Sequence, residues 1–302
     1  MCVPVFTAGS LLGVGLGVSA RDAFAPLAHP RFVLVTLLVG WVVCPAVAWL
    51  LLAMVPLDRP YAVGLLVLSL APAAPFVPAM AQVARSDTGH TAAFMLLATV
   101  ATVVLLPFGV STFVGGTAPP PVLIARPLIA FVLLPLLAGL AARQFDHMLA
   151  KRARRPVALI TNVAGAGVLI AIVPLYGPGM LSAVGSYAIA TQIVFVAAVT
   201  LIAYVAAAGL PPAAKTVMTI GMCSRNLGAA LAPLAMIESD PRAIVMIAIA
   251  APITVAGSLA TARWLAGQRS AVVASVITVA LLSLPVNAFS QAISTGPRKE
   301  PC

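Results

Sequence analysis

Ten stretches of about twenty predominantly apolar residues follow one another along this chain, without the strict alternation of a barrel strand. Hydrocarbon offers no partner to an unpaired amide, so segments of this length and character cross a bilayer as helices. They lie near 3–20, 32–55, 61–83, 89–114, 125–142, 156–174, 183–208, 216–236, 242–266 and 271–290. The first is short and glycine-rich, and the last carries Pro285 and leads into a polar tail. The expected fold is therefore an all-α, polytopic membrane helix bundle with 9–10 transmembrane helices in a single domain. A composition that is 62% hydrophobic and 8% charged excludes a soluble globular chain.

The net charge of +10 looks like a nucleic-acid signal only until the basic residues are placed on this topology. A cytoplasmic loop holding Lys151, Arg152, Arg154 and Arg155 puts Arg21, Arg31, Arg85, Arg143, Lys215, Arg263 and Arg269 on the same side. Arg59, Arg126 and Arg242 then fall outside, and the N-terminus is extracytoplasmic. The charge describes orientation in a cell membrane, inner or plasma, and no nucleic-acid partner is expected. No signal peptide is expected either, since a basic leading region and a cleavage site are missing. Cys2, Cys44, Cys223 and Cys302 show no paired spacing, and His29, His90 and His147 gather no ligands, so neither a metal nor a cofactor is expected.

Arg225 stands apart from the loop charges, at the tenth of the twenty-one positions of the span 216–236. A guanidinium at that depth costs roughly 2.5–3.5 kcal/mol on insertion scales, so it faces a cavity or a partner. Around it run Gly221-Met-Cys-Ser-Arg-Asn-Leu-Gly228, with Pro233 beyond. A second interrupted span carries Pro72, Pro75 and Pro78, each of which removes an amide donor from the helix ladder. The lead-ins Leu57-Asp-Arg-Pro-Tyr-Ala-Val63 and Leu210-Pro-Pro-Ala-Ala-Lys-Thr216 are alike, and the two spans run in opposite directions. Inverted repeats with two crossing discontinuous helices are expected, the pattern that marks the midplane site of a secondary transporter. Irregular backbone survives at that depth only inside protein or beside a water-filled cavity.

Several motifs together carry a family resemblance. They are His29-Pro-Arg31 with Cys44-Pro-Ala-Val-Ala-Trp49, then Ala62-Val-Gly-Leu-Leu66, Ala71-Pro72, Ala84-Arg-Ser-Asp87, and Gly221 to Leu231 with its Arg-Asn pair. The chain resembles the bile acid:sodium symporter family in a divergent form. That resemblance implies a panel of helices (3–20, 125–142, 156–174) and a core (32–114 and 183–266) that moves against it, with 271–302 as an extra hydrophobic segment and tail. It implies transport of small organic anions by alternating access, with a carboxylate met by Arg225, Asn226, Ser224, Thr254 and Thr91 beside the breaks at Pro72, Pro75, Pro78, Gly221 and Gly228. Phe76, Met80 and Met222 are candidates for an apolar pocket, and their alternative is core packing. The partners expected are an organic anion and the lipid bilayer, and the chain is compatible with a homo-oligomer.

Departures from the family pattern put sodium coupling in doubt. Side chains that would offer oxygens to sodium are replaced by Val77, Pro78, Gly221, Gly40 and Met95, although Thr91 keeps one hydroxyl. The expectation is that the Arg225 guanidinium takes the electrostatic role of a bound sodium ion. Arg225 has an alternative reading as a structural residue bonded to backbone carbonyls, and Thr254 one as a hydroxyl bonded back to its own helix. Among functions, an arsenite-type efflux carrier of the same superfamily is the nearest rival, although Ala73 stands where its thiol would be and only Cys223 offers another. A membrane enzyme or sensor on this scaffold is the alternative from a different class. No nucleophile–base pair supports the enzyme, and no soluble domain supports the sensor.

Overall fold

The structure, a computed structural model, describes residues 2–114, 119–237 and 240–282. Helix α1 (Cys2–Gly17) meets the short α2 (Ala20–Phe24) at a bend of 105°. Ser19 Oγ accepts the Asp22 amide and caps α2, so the chain turns at Ser19 and the first span closes at Gly17. Helices α3 (Pro30–Leu38) and α4 (Cys44–Met54) form one continuous span through a π-helical bulge at Val39–Val43. Pro45 has no amide to offer Trp41, four residues back, and the Cys44 amide instead reaches five residues back to the Val39 carbonyl.

The next span is broken into α5 (Arg59–Ser69) and α6 (Val77–Val83). Pro72 and Pro75 lie in the break, whereas Pro78 sits in the first turn of α6, where its missing amide costs nothing and its fixed φ suits a helix start. Pro78 therefore opens the second half-helix and is not part of the interruption. Helix α7 (Thr88–Val114) follows, with Asp87 Oδ2 accepting the His90 amide and pairing with its ring nitrogen at 2.7 Å. Burial opposes ionisation of Asp87, but the bonds from His90 and Gly89 outweigh it and hold the carboxyl below its usual range.

Helices α8 (Pro121–Leu128) and α9 (Leu134–Phe145) repeat the bulged design, with a π-turn at Ile129–Leu133 ahead of Pro135. Only Asp146 separates α9 from α10 (His147–Ser182), and its Oδ1 accepts the Met148 and Leu149 amides at 2.9 Å. Lys151, Arg152, Arg154 and Arg155 accordingly occupy the first turns of α10, not a loop. Then come α11 (Ala188–Ala206), the broken pair α12 (Pro212–Cys223) and α13 (Leu227–Ile237), and α14 (Pro241–Leu282).

The 42 residues of α14 correct the expectation of a separate tenth segment at 271–290. Gly267-Gln-Arg-Ser270 holds one glycine and no proline, a cost of about 1 kcal/mol that a helix absorbs. The chain therefore continues as helix to Leu282; Pro285 and the rest of that segment lie outside the described residues. Six unbroken helices are long and apolar enough to span: Pro30–Met54, Thr88–Phe113, Pro121–Phe145, His147–Ile172, Ala188–Ala206 and Pro241–Gln268. The bent pair of α1 with α2 makes a seventh by length and composition, and the broken pairs α5–α6 and α12–α13 lie among them.

Helix α1 lies between α9 and α10, and glycines set how closely it approaches. A Cβ on Gly15 would stand 2.5 Å from the Leu136 carbonyl oxygen, and one on Gly139 would overlap that of Leu12. Elsewhere α5 packs on α14, where a Cβ on Gly64 would stand 2.7 Å from the Ala243 carbonyl oxygen. In lipid, where burial itself gives little drive, such close backbone contact is what holds helices together.

Candidate functional site at the helix crossing

The two breaks meet and pair through a single antiparallel bridge. Pro72 bridges Arg225, the Ala73 amide donates to the Gly221 carbonyl at 3.0 Å, and the Asn226 amide donates to the Ala71 carbonyl at 2.8 Å. Each break thus supplies the partners the other lost when its helix stopped, which is how irregular backbone is tolerated at membrane depth. The antiparallel sense follows from the opposite directions of the two spans. Ala73, whose amide joins the two breaks, holds φ at 67°, a left-handed value uncommon for a residue with a Cβ.

Among the described residues Arg225 is the largest fully buried side chain, with 0% exposure. Its Nη1 donates to the Ser69 carbonyl at 3.3 Å, and its Nη2 to the Met222 carbonyl at 2.6 Å and the Cys44 sulfur at 3.3 Å. The Phe195 ring lies 5.1 Å from Cζ, and Nε has no hydrogen-bond partner. In this conformation the guanidinium binds backbone at the carboxyl ends of α5 and α12. Among the described residues no carboxylate stands within ion-pair distance of it.

The other candidates are likewise engaged. Ser224 Oγ, fully buried, donates to the Gly221 carbonyl at 3.1 Å and accepts the Ala74 amide at 3.4 Å. Asn226 Oδ1 caps α13 through the Ala229 amide. Thr254 bonds back to the Ala250 carbonyl of its own helix, and Thr91 to the Asp87 carbonyl. Met222 is buried, and Met80 packs partly buried against the core.

Gly221 and Gly228 sit inside the half-helices, so their part is close approach and not interruption. A Cβ on Gly221 would overlap the Phe94 ring, and one on Gly228 would stand 2.7 Å from the Thr7 hydroxyl. At Gly228 the crossing touches α1.

A cleft of about 350 Å³ opens beside that contact, between the crossing on one side and α1 and α10 on the other. Phe6, Thr7, Ile172 and Tyr176 line one wall, and Phe76, Leu227, Gly228, Leu231 and Ile247 the other. Arg225 borders it too, with its guanidinium bonded to Cys44, Ser69 and Met222. Of the expected pocket residues the cleft contains Phe76. Phe6, Thr7 and Tyr176 were not foreseen, because single apolar and hydroxyl residues in a membrane helix carry no sequence signal until their neighbours are known.

The structure thus defines a class, an integral membrane protein of helices whose two discontinuous spans cross and pair at their breaks. Residues 8–178, more than half of the chain, match the model of the Sodium Bile acid symporter family. The chain belongs to that family, whose members are membrane transporters and not enzymes. The match takes in the first broken span and ends before the second. No curated protein matches the chain.

Proposed function

We propose that this protein is a secondary transporter of small organic anions working by alternating access, with α1, α8–α9 and α10 as the panel and the remaining long helices as the core. The observation that carries the reading is the cleft between these two groups, which ends at the crossing. Its walls suit an apolar body, held against Phe6, Phe76, Ile172 and Tyr176. Its polar edge is the amino end of α13, where Leu227 and Gly228 face the cleft and the helix dipole places about half a positive charge. Arg225 stands behind that edge and adds to the same potential without touching the solute. With the basic helix ends in the cytoplasm, the cleft lies in the extracytoplasmic half of the membrane.

Purified protein screened by thermal shift against a panel of carboxylates and sulfonates tests the reading. Ligands that raise the midpoint of the native chain are expected to lose that effect in Leu231→Trp, which fills the cleft. Uptake of the same compounds is expected to fall roughly tenfold or more, the loss of about 1.4 kcal/mol of binding. Equal shifts in both proteins would place the ligand elsewhere.

A further inference from the structure

A second concavity, of about 570 Å³, runs between α11 and α14, and among the described residues it shares no lining residue with the cleft at α1. Its wall on α11 extends from Ile193 to Tyr204 and on α14 from Ile253 to Trp264, with Thr219 and Cys223 of α12 between them. Each of these two stretches rises about 16 Å, half of the roughly 30 Å hydrocarbon core of a bilayer. Cys223 ends α12 at the crossing, so the groove runs from the depth of the crossing to one membrane surface and covers a single leaflet. The Thr200 and Thr219 hydroxyls donate to the Val196 and Lys215 carbonyls of their own helices, so neither asks an occupant for a polar group.

The surface end of the groove is aromatic and basic. The Tyr204 and Trp264 rings meet at 4.9 Å between centroids, and the Tyr204 hydroxyl donates to Gln268 Oε1 at 3.3 Å. Tyrosine and tryptophan gather at the level of lipid head groups. Lys215 Nζ lies 3.5 Å from the centroid of the Tyr204 ring, near the amino end of α12, and Arg263 is exposed beside Trp264. Among the described residues neither cation has a carboxylate within ion-pair distance. The aromatic face attracts the ammonium without neutralising it, and the amino end of α12 adds further positive potential.

We propose that this groove holds an anionic phospholipid, with one acyl chain lying between α11 and α14 as far as Cys223 and its phosphate at Lys215, beside Arg263. Length and charge select this occupant together. A neutral lipid would leave the two cations unanswered, and a free anion would leave the apolar length of the groove unfilled. The site stands whether or not the carrier reading holds.

Trp264 is one of three tryptophans, so Trp41→Phe/Trp49→Phe leaves it as the only one in the full chain. This protein is reconstituted in phosphatidylcholine vesicles with a minor share of phosphatidylglycerol. Either the phosphatidylglycerol or an equal share of the phosphatidylcholine carries bromine on its acyl chains near the head group, and quenching of Trp264 fluorescence is read. Brominated phosphatidylglycerol is expected to quench as though enriched roughly fivefold at the ring, the gain that one basic residue gives near an anionic surface. Lys215→Gln is expected to lose most of this preference and Lys215→Arg to keep it. Ala260→Phe, which puts a ring into the groove from α14, is expected to lower the preference although Lys215 is intact. Equal quenching by the two lipids, a preference unchanged in Lys215→Gln, or one unchanged in Ala260→Phe would overturn the proposal. So would a Trp264 that neither lipid quenches, because a second copy of the chain or another protein segment would then cover the groove. Should the tryptophan substitutions prevent folding, thermal midpoints of the native chain and Lys215→Gln are compared in detergent with added phosphatidylglycerol or phosphatidylcholine. Phosphatidylglycerol is expected to stabilise the native chain more than the variant. Stabilisation equal for the two lipids, or equal in the two proteins, would contradict the assignment.

Discussion

Gly221→Val is expected to lower stability by about 3 kcal/mol or more and to abolish uptake. The new Cβ would overlap the ring of Phe94, which is fully buried on α7. Overpacking a tight core typically costs 1–3 kcal/mol. Moving α12 away instead would pull the Gly221 carbonyl from the Ala73 amide and the Ser224 hydroxyl from the Ala74 amide, two of the bonds that join the breaks. Both routes of relief damage the crossing, so the effects accumulate. The check is a double-mutant cycle with Phe94→Leu, read by thermal unfolding in detergent. Shrinking the ring is expected to restore much of what valine costs, giving a coupling of about 1–3 kcal/mol. Simple additivity would show that the two residues do not meet.

The second large effect is expected at Gly139→Val, where α9 meets α1. A Cβ at Gly139 would overlap the Leu12 carbonyl, and Gly15 makes the reciprocal approach to Leu136. Backbone cannot rotate out of the way as a side chain does, so the helices must separate along this seam. The loss of contacts on both faces is expected to cost about 2–4 kcal/mol, with Gly139→Ala intermediate. A valine variant with an unchanged midpoint would mean that α1 and α9 do not touch at these glycines. Because α1 also lines the cleft through Phe6 and Thr7, the same variant is expected to lose ligand-induced stabilisation.

What the sequence showed clearly was what depends on a run of residues. Twenty apolar positions specify a span wherever they fall, and Pro72 with Pro75 specify a break, because a missing amide is a local fact. The position of Arg225 was legible for the same reason, but its direction was not. Which face of a broken helix carries a side chain depends on how the partner break docks, and that docking is made by backbone amides of Ala73 and Asn226, invisible to residue type. Gly221 and Gly228 read as breaks in sequence because glycine serves interruption and close approach equally; only the positions of Phe94 and Thr7 separate the two. The bulges before Pro45 and Pro135 could have been read, since a proline deep in a span leaves the carbonyl four residues earlier without its donor. The continuity of α14 past Arg269 could not, because a polar interruption marks the edge of hydrocarbon and not the end of a helix.

Movement of the panel against the crossing is the claim on which the carrier account depends, and the contact between Thr7 and Gly228 allows it to be tested directly. The hydroxyl of Thr7 lies 2.7 Å from where a Cβ of residue 228 would be, so side chains at the two positions are in contact and can be cross-linked. In Thr7→Cys/Gly228→Cys reconstituted into vesicles, oxidation is expected to stop organic-anion uptake and reduction to restore it, with either single variant unaffected by the oxidant. Uptake that continues undiminished in fully cross-linked protein would contradict the account, because the two layers would then be shown not to move apart during transport.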